Sequence, residues 1–242
     1  MSHSLFDAFT LGSTPLSNRI AMAPMTRSRT SQPGDVPNAM MATYYQQRAD
    51  AGLIITEGAP VSAVARGYSM TPGIYTAEHI EGWKKVTQAV HAGGSKIFIQ
   101  LWHVGRRSHS SISGQQPLSA SAGKDPDKGF GPLPEGGFGM VETETPRAMT
   151  QADIDQTIAD FVQAARNAVE AGFAGVEIPA AHGYLFDSFL RPASNQRSDQ
   201  YGGSQQNRIR FLVETLQAVS DAVGSDKVAV RLSLIRSEIN GQ

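Results

Sequence analysis

The chain has 242 residues, room for one large domain or two small ones, and its 40% hydrophobic and 18% charged content is that of an ordinary soluble globular protein. A formal net charge of −1 gives no electrostatic reason to expect nucleic acid or an anionic membrane as partner. With no cysteine, disulfides, thiolate metal sites and thiol nucleophiles are excluded, and none of the six histidines pairs at a convincing metal-ligand spacing. His103 and His109 come nearest, in a loop rich in glycine, arginine and serine. The N-terminus lacks a basic region followed by an apolar one, and no run reaches the ~18 apolar residues of a membrane span. A cytoplasmic protein is expected.

From the N-terminus, residues 9–20 predict a small hairpin turning at Gly12-Ser13, with Pro15 near its second arm. Ile20-Ala-Met-Ala-Pro-Met-Thr26 is a short apolar strand, and residues 40–51 predict a helix with Tyr44, Tyr45 and Ala49 inward. Leu53-Ile-Ile-Thr-Glu57 is a continuous apolar run suited to a buried parallel strand, opening into a loop from Gly58 to Pro72 that contains Tyr68. Thr76 caps the next helix, which ends at Gly93-Gly94. Lys96-Ile-Phe-Ile-Gln-Leu101 is the third strand, with Gln100, Trp102, His103 and Arg106 at its far end.

Residues 108–148 show no sustained period and are dense in glycine and proline, the marks of a lid or an excursion hairpin, with Met140 to Glu144 as one candidate strand. Thr150-Gln-Ala-Asp153 has the form of a capping box and opens a helix to Ala171. Gly175 to Ile178 is the fourth strand, running into a loop with His182 and Tyr184. A helical turn over 184–190, a helix from Ser204 to about Val223, and a fifth strand, Lys227-Val-Ala-Val-Arg-Leu232, complete the plan. The fold class is therefore α/β, a (β/α)₈ barrel type that stops after about five of its eight units. It is read as a single partial-barrel domain over 1–242, with an N-terminal hairpin and an excursion over 108–148.

In such folds chemistry gathers at the carboxyl ends of the strands, where Thr26, Gly58, Gln100, Trp102, His182, Tyr184 and Arg231 fall. A planar heterocycle with carbonyls and ring nitrogens would use this set. Thr26 can donate, Gln100 can donate and accept, Arg231 can stabilise negative charge, and Gly58 lets backbone approach a ring closely. His182 and Tyr184 can supply a hydrogen-bond donor and a proton donor. Each has a plainer alternative: a strand-end cap, a barrel polar group, a salt bridge, a satisfied loop histidine, a packing tyrosine. A barrel enzyme acting on phosphorylated sugars is a further reading, against which stands the lack of a glycine-rich phosphate loop.

The runs Asn18-Arg-Ile-Ala-Met-Ala-Pro-Met-Thr-Arg27, Gln100-Leu-Trp-His-Val-Gly-Arg106, Ala181-His-Gly-Tyr-Leu185 and Phe189-Leu-Arg-Pro-Ala-Ser-Asn-Gln-Arg-Ser-Asp-Gln-Tyr-Gly-Gly-Ser204, with Asn207-Arg208, resemble the old yellow enzyme family. The resemblance is nearest to its bacterial N-ethylmaleimide reductase-like alkene reductases and covers residues 3 to about 233. It implies noncovalent FMN, reduced by NADPH or NADH, passing hydride to an electron-poor alkene such as an enone, a maleimide or a nitro compound. By position, Pro24, Met25 and Thr26 would line the flavin. Gly58 stands where the family usually has alanine, and Gln100 and Arg231 would bind the pyrimidine edge. His182 would bind flavin and polarise the substrate, Tyr184 would protonate it, and Tyr68 and Trp102 would shape its pocket. No metal, nucleic acid or membrane partner is implied.

Two departures carry expectations of their own. The family pairs His182 with a second donor three residues earlier, usually histidine, where this chain has Pro179. Losing one of two hydrogen bonds to a developing enolate costs about 2–4 kcal/mol. The family also holds the FMN phosphate with loops after its last two strands, which this chain lacks, and the tail Ser233–Gln242 leaves the family pattern. The alternative expectation is thus an impaired or inactive partial barrel that binds FMN weakly and self-associates through open edges.

Overall fold

The sheet that organises the molecule has five parallel strands, which lie side by side in the same order as they follow one another in the chain. Such a progression, with no reversal, belongs to a barrel wall rather than to a doubly wound sheet. The computed structural model describes residues 4–233, so the tail beyond Ser233 lies outside the described residues.

The elements are β1 (Phe9–Leu11), β2 (Thr14–Leu16), β3 (Ala21–Met22), α1 (Ala39–Gln46), β4 (Leu53–Pro60), α2 (Ala77–Ala92) and β5 (Lys96–Trp102). The excursion follows with α3 (Ser110–Ser113), β6 (Leu118–Ser119), β7 (Lys128–Pro132), β8 (Phe138–Glu142) and β9 (Arg147–Ala148). Last come α4 (Gln151–Glu170), β10 (Gly175–Ala180), α5 (Leu185–Leu190), α6 (Gln205–Val223), a 3₁₀ turn (Ser225–Lys227) and β11 (Val228–Leu232). No described helix is long and apolar enough to cross a membrane.

Local chemistry accounts for the helix boundaries. Thr76 Oγ1 accepts from the His79 backbone N–H at 3.3 Å and His79 Nδ1 accepts from the Thr76 N–H at 3.3 Å, so a histidine closes the capping box of α2. At α4 the same roles fall to Thr150 and Asp153, at 3.2 and 2.7 Å. Helix α1 is shorter than expected, ending at Gln46 rather than residue 51, although Tyr45 and Ala49 are buried as expected. Strand β3 holds only two residues of the seven expected, because Pro24 has no N–H for the ladder.

The largest difference is at β4, which runs on through Gly58 to Pro60 where a loop is expected. Ile55 opposes Phe98 but Gly58 opposes Gln100, so β4 carries one extra residue, a β-bulge. The Thr56 Oγ1 accepts the Gln100 N–H at 3.2 Å and so fills the gap in the ladder. In the excursion, β7 and β8 form an antiparallel hairpin, and the Phe130 carbonyl accepts the Ser69 N–H at 2.7 Å, which pins that hairpin over the loop carrying Tyr68.

Alternation along the strands gives the sheet two different faces. Ile97, Ile99, Leu101, Val176, Ile178 and Ala180 pack with Trp83, Val86, Phe161, Phe186 and Phe211 of the helices in the main core. On the other face, Phe98 and Leu53 cluster with Leu16 of the hairpin at the amino-terminal end. Two residues further along that face the apolar side chains give way to Gln100, Glu177 and Arg231.

Candidate active site

The carboxyl-end rim of the sheet holds a hollow of about 130 Å³ lined by Pro24, Thr26, Gly58, Gln100, Trp102, Pro179, His182, Tyr184 and Arg231. Every strand of the sheet contributes, either from its own end or from the loop that follows. Eight of the ten residues singled out in the sequence meet here. Met25 does not line the hollow: lying between Pro24 and Thr26, beyond the end of β3, it is 46% exposed. Tyr68 stands behind the wall, its ring stacked on that of Trp102 at 5.3 Å and 14°.

Trp102 organises the aromatic side of the hollow. Its indole is fully packed, with Tyr68 on one face and the edge of Tyr184 5.0 Å away at 84°. Gly58 is what lets it sit there. A Cβ at position 58 would lie 2.4 Å from Trp102 Cε3 and 2.5 Å from Cδ2. A ring that approaches the Gly58 backbone closely is thus the protein's own indole, while the same glycine also lines the hollow where a ligand ring is expected.

His182 and Tyr184 sit on a tight turn after β10. His182 has φ +61 and Gly183 φ +78, and a left-handed non-glycine residue persists only where its surroundings hold it. The Asp187 carboxylate, in α5, accepts the Gly183 N–H at 2.8 Å, and the Tyr184 N–H returns to the Ala181 carbonyl at 3.2 Å. The His182 N–H donates to Ser233 Oγ at 3.4 Å. The two rings end up 6.3 Å apart.

Burial, more than the neighbouring charges, favours the neutral form of both rings. Burial, and then the Arg231 and Arg107 guanidinium groups, hold the His182 imidazole below the ordinary histidine value against the pull of Asp187. Burial lifts the Tyr184 phenol well above the usual tyrosine value, Tyr68 adds to this, and Arg107 opposes it. A neutral imidazole still donates through one ring nitrogen, and a protonated phenol donates its O–H.

Sequence reasoning missed two residues of this neighbourhood. Glu177, directly across from Gln100 in the next strand, accepts from Gln100 Nε2 at 2.7 Å and is buried. Its two-residue spacing from Pro179 was the available signal. Arg107 lies with its guanidinium carbon 5.7 Å from the centre of the Tyr184 ring and its Nε 3.3 Å from Asp125 Oδ2. Nothing local in the sequence links it to Tyr184, 77 positions on.

Residues 4–242 match the sequence pattern of the NADH:flavin oxidoreductase / NADH oxidase family. The chain is 46% identical over 232 residues to 12-oxophytodienoate reductase 1 of Oryza sativa subsp. japonica, covering 95% of this chain and 58% of that protein. The chain belongs to the old yellow enzyme family. Morphinone reductase in complex with tetrahydroNAD superposes with a TM-score of 0.92 at 46% identity, over 96% of this chain and 64% of that one. The old yellow enzyme homologue from Zymomonas mobilis gives 0.89 at 43% identity, over 95% and 63%. The chain therefore spans about three fifths of the length of the relatives it matches, and its five-stranded sheet corresponds to an incomplete barrel.

Old yellow enzymes take FMN as cofactor and a nicotinamide as reductant. The donor set fits the ring of such a cofactor. Thr26 offers a hydroxyl, Gln100 a buried amide and Arg231 a cation, all on one hollow whose opposite wall is aromatic. At about 130 Å³ the hollow suits one end of a flat heterocycle rather than a whole cofactor, since complete ligand sites run to about 300–1,000 Å³.

Proposed function

We propose that the chain is an FMN-dependent oxidoreductase that reduces an electron-poor alkene, an enone, maleimide or nitro compound, at the expense of NADPH or NADH. The observation that carries the reading is the convergence of Thr26, Gln100, His182, Tyr184 and Arg231 on a single hollow from separate strand ends. When bound, the flavin supplies the hydride that adds to the β carbon of the alkene. Thr26, Gln100 and Arg231 hold its pyrimidine end, and the Arg231 cation favours negative charge there. His182, neutral near pH 7, donates to the activating carbonyl or nitro oxygen. Tyr184 delivers its phenolic proton to the α carbon, and the Arg107 guanidinium offsets the charge left on the oxygen. Trp102, backed by the stacked ring of Tyr68, forms the aromatic wall against which the substrate lies.

The test is rapid mixing under anaerobic conditions: flavin-loaded protein is reduced with NADPH or NADH and then mixed with cyclohexenone. Tyr184→Phe should slow reoxidation by about 10²–10⁴-fold and leave reduction by the nicotinamide almost unchanged. Equal reoxidation in the two proteins would rule out the assigned proton donor.

One observation favours a second, weaker-enzyme reading. Pro179, opposite Arg231 in the register, puts a side chain with no donor on the wall of the hollow. With His182 alone polarising the acceptor, turnover is low.

A further inference from the structure

A glutamine amide is ambiguous toward a ligand, since it can present either a donor or an acceptor. We propose that Glu177 removes that ambiguity: by engaging one N–H of the Gln100 amide it fixes which way the amide is turned, so that its oxygen faces the hollow and selects heterocycles with an N–H at that edge. The inference rests on the flavin reading above and deepens it by naming the residue that fixes the polarity of the ring-binding edge.

Three features lead there. The parallel register places Glu177 directly across from Gln100, with both side chains on the face of the sheet that carries the hollow. Gln100 Nε2 donates to Glu177 Oε1 at 2.7 Å, and the two residues are only 7% and 6% exposed, so water does not substitute for either partner. An ionised carboxylate accepts and cannot donate. A flipped amide would set its oxygen against the carboxylate oxygen, a repulsion made costly by burial. Burial raises the Glu177 carboxyl above the usual carboxylate value, while the Gln100 hydrogen bond and the nearby Arg231 cation oppose it and favour the ionised form. The hollow then presents an acceptor at Gln100 and a cationic donor at Arg231, complementary to an N–H flanked by a carbonyl, the imide edge of a flavin ring.

Glu177 is thus a positioning residue, and a double-mutant cycle reads it. FMN is titrated by fluorescence quenching into the unsubstituted chain, E177Q, Q100A and E177Q/Q100A, with thermal melts confirming that each is folded. A glutamine at 177 can donate as well as accept and frees the Gln100 amide to turn over, so E177Q should weaken FMN binding by about fivefold to thirtyfold. In the Q100A background the same change should alter binding by less than about twofold. An equal loss in both backgrounds, or no loss in either, overturns the inference while leaving the flavin reading in place. An unsubstituted chain that is folded and does not quench FMN overturns the flavin reading and this inference with it. A flavin-free readout that needs no variant is hydrogen exchange at the Gln100 side-chain amide by NMR. Protected, carboxylate-bonded protons are expected, and freely exchanging ones overturn the proposal.

Discussion

Gly58→Ala tests whether the seating of Trp102, rather than space for a ligand, requires glycine on β4. The old yellow enzyme pattern usually has alanine at this position, so tolerance would be the simple guess. The geometry predicts otherwise. The new Cβ would lie 2.4, 2.5 and 3.0 Å from Trp102 Cε3, Cδ2 and Cγ, all at the root of the indole rather than at a flexible tip. Ordinary contact needs about an ångström more. The ring cannot supply it freely, being 2% exposed, stacked on Tyr68 and met by the edge of Tyr184. Overpacking of this kind costs about 1–3 kcal/mol. For a chain of this size that lowers the melting temperature by about 2–12 °C. Melts followed by far-ultraviolet circular dichroism give the stability, and the near-ultraviolet signal reports the displaced indole. Trp102→Leu frees the space, so in that background Gly58→Ala should cost less than about 0.5 kcal/mol. A Gly58→Ala protein with unchanged melting and unchanged near-ultraviolet signal would refute the reasoning.

Three further outcomes are expected. Pro179→His puts a second donor beside His182 and should raise the rate of flavin reoxidation by cyclohexenone about 30-fold to 1,000-fold, the equivalent of 2–4 kcal/mol; no gain counts against the role given to that position. His103 is fully buried, accepts the Gly105 N–H through Nδ1 at 3.1 Å, and is pushed by burial from 6.5 down to about 3. The folded state therefore resists a proton that the unfolded state takes up, so stability is complete above the unfolded value and falls as pH drops below it. At about pH 4.5 the loss is about 3 kcal/mol, and His103→Asn should flatten this part of the urea-midpoint profile; an equally steep profile in the variant assigns the loss elsewhere. Asp125, 1% exposed at its side chain, has Oδ2 3.2 and 3.3 Å from the Nε atoms of Arg106 and Arg107. Asp125→Ala leaves both cations without that partner and should cost about 3–5 kcal/mol in chemical denaturation; a cost under about 1 kcal/mol would show the cluster to be dispensable.

The strands that build the sheet were legible because Leu53 to Ile55 and Ile97 to Ile99 are apolar runs and Val176 and Ile178 flank a single charged residue, a pattern suited to strands covered on both faces. Helix starts were legible because Thr76, Thr150 and Ser204 act through bonds to residues three positions on. What escaped depends on partners distant in sequence. The bulge in β4 exists only in its register against β5, and it carries the strand through Gly58. The excursion hairpin was expected with one strand at Met140 to Glu144, which overlaps β8, but its partner β7, with two glycines and a proline in five residues, lacks an apolar run to announce it. The gathering of the site followed from the rule that strand ends share a rim, which is why Thr26, Gln100, His182 and Arg231 were foreseen together. The pairing of Glu177 with Gln100, the seat of Trp102 on Gly58 and the reach of Arg107 to Tyr184 are tertiary facts without a local signature.

The central claim is that side chains from separate strand ends grip one flat redox ring, and the absorption spectrum of the purified chain with added FMN tests it most directly. The account predicts shifted, resolved flavin bands that remain with the protein through gel filtration at a fixed ratio, and are lost in the Gln100→Ala, Arg231→Ala double variant. A folded chain whose added FMN keeps the spectrum of free flavin and elutes apart from it would contradict the claim.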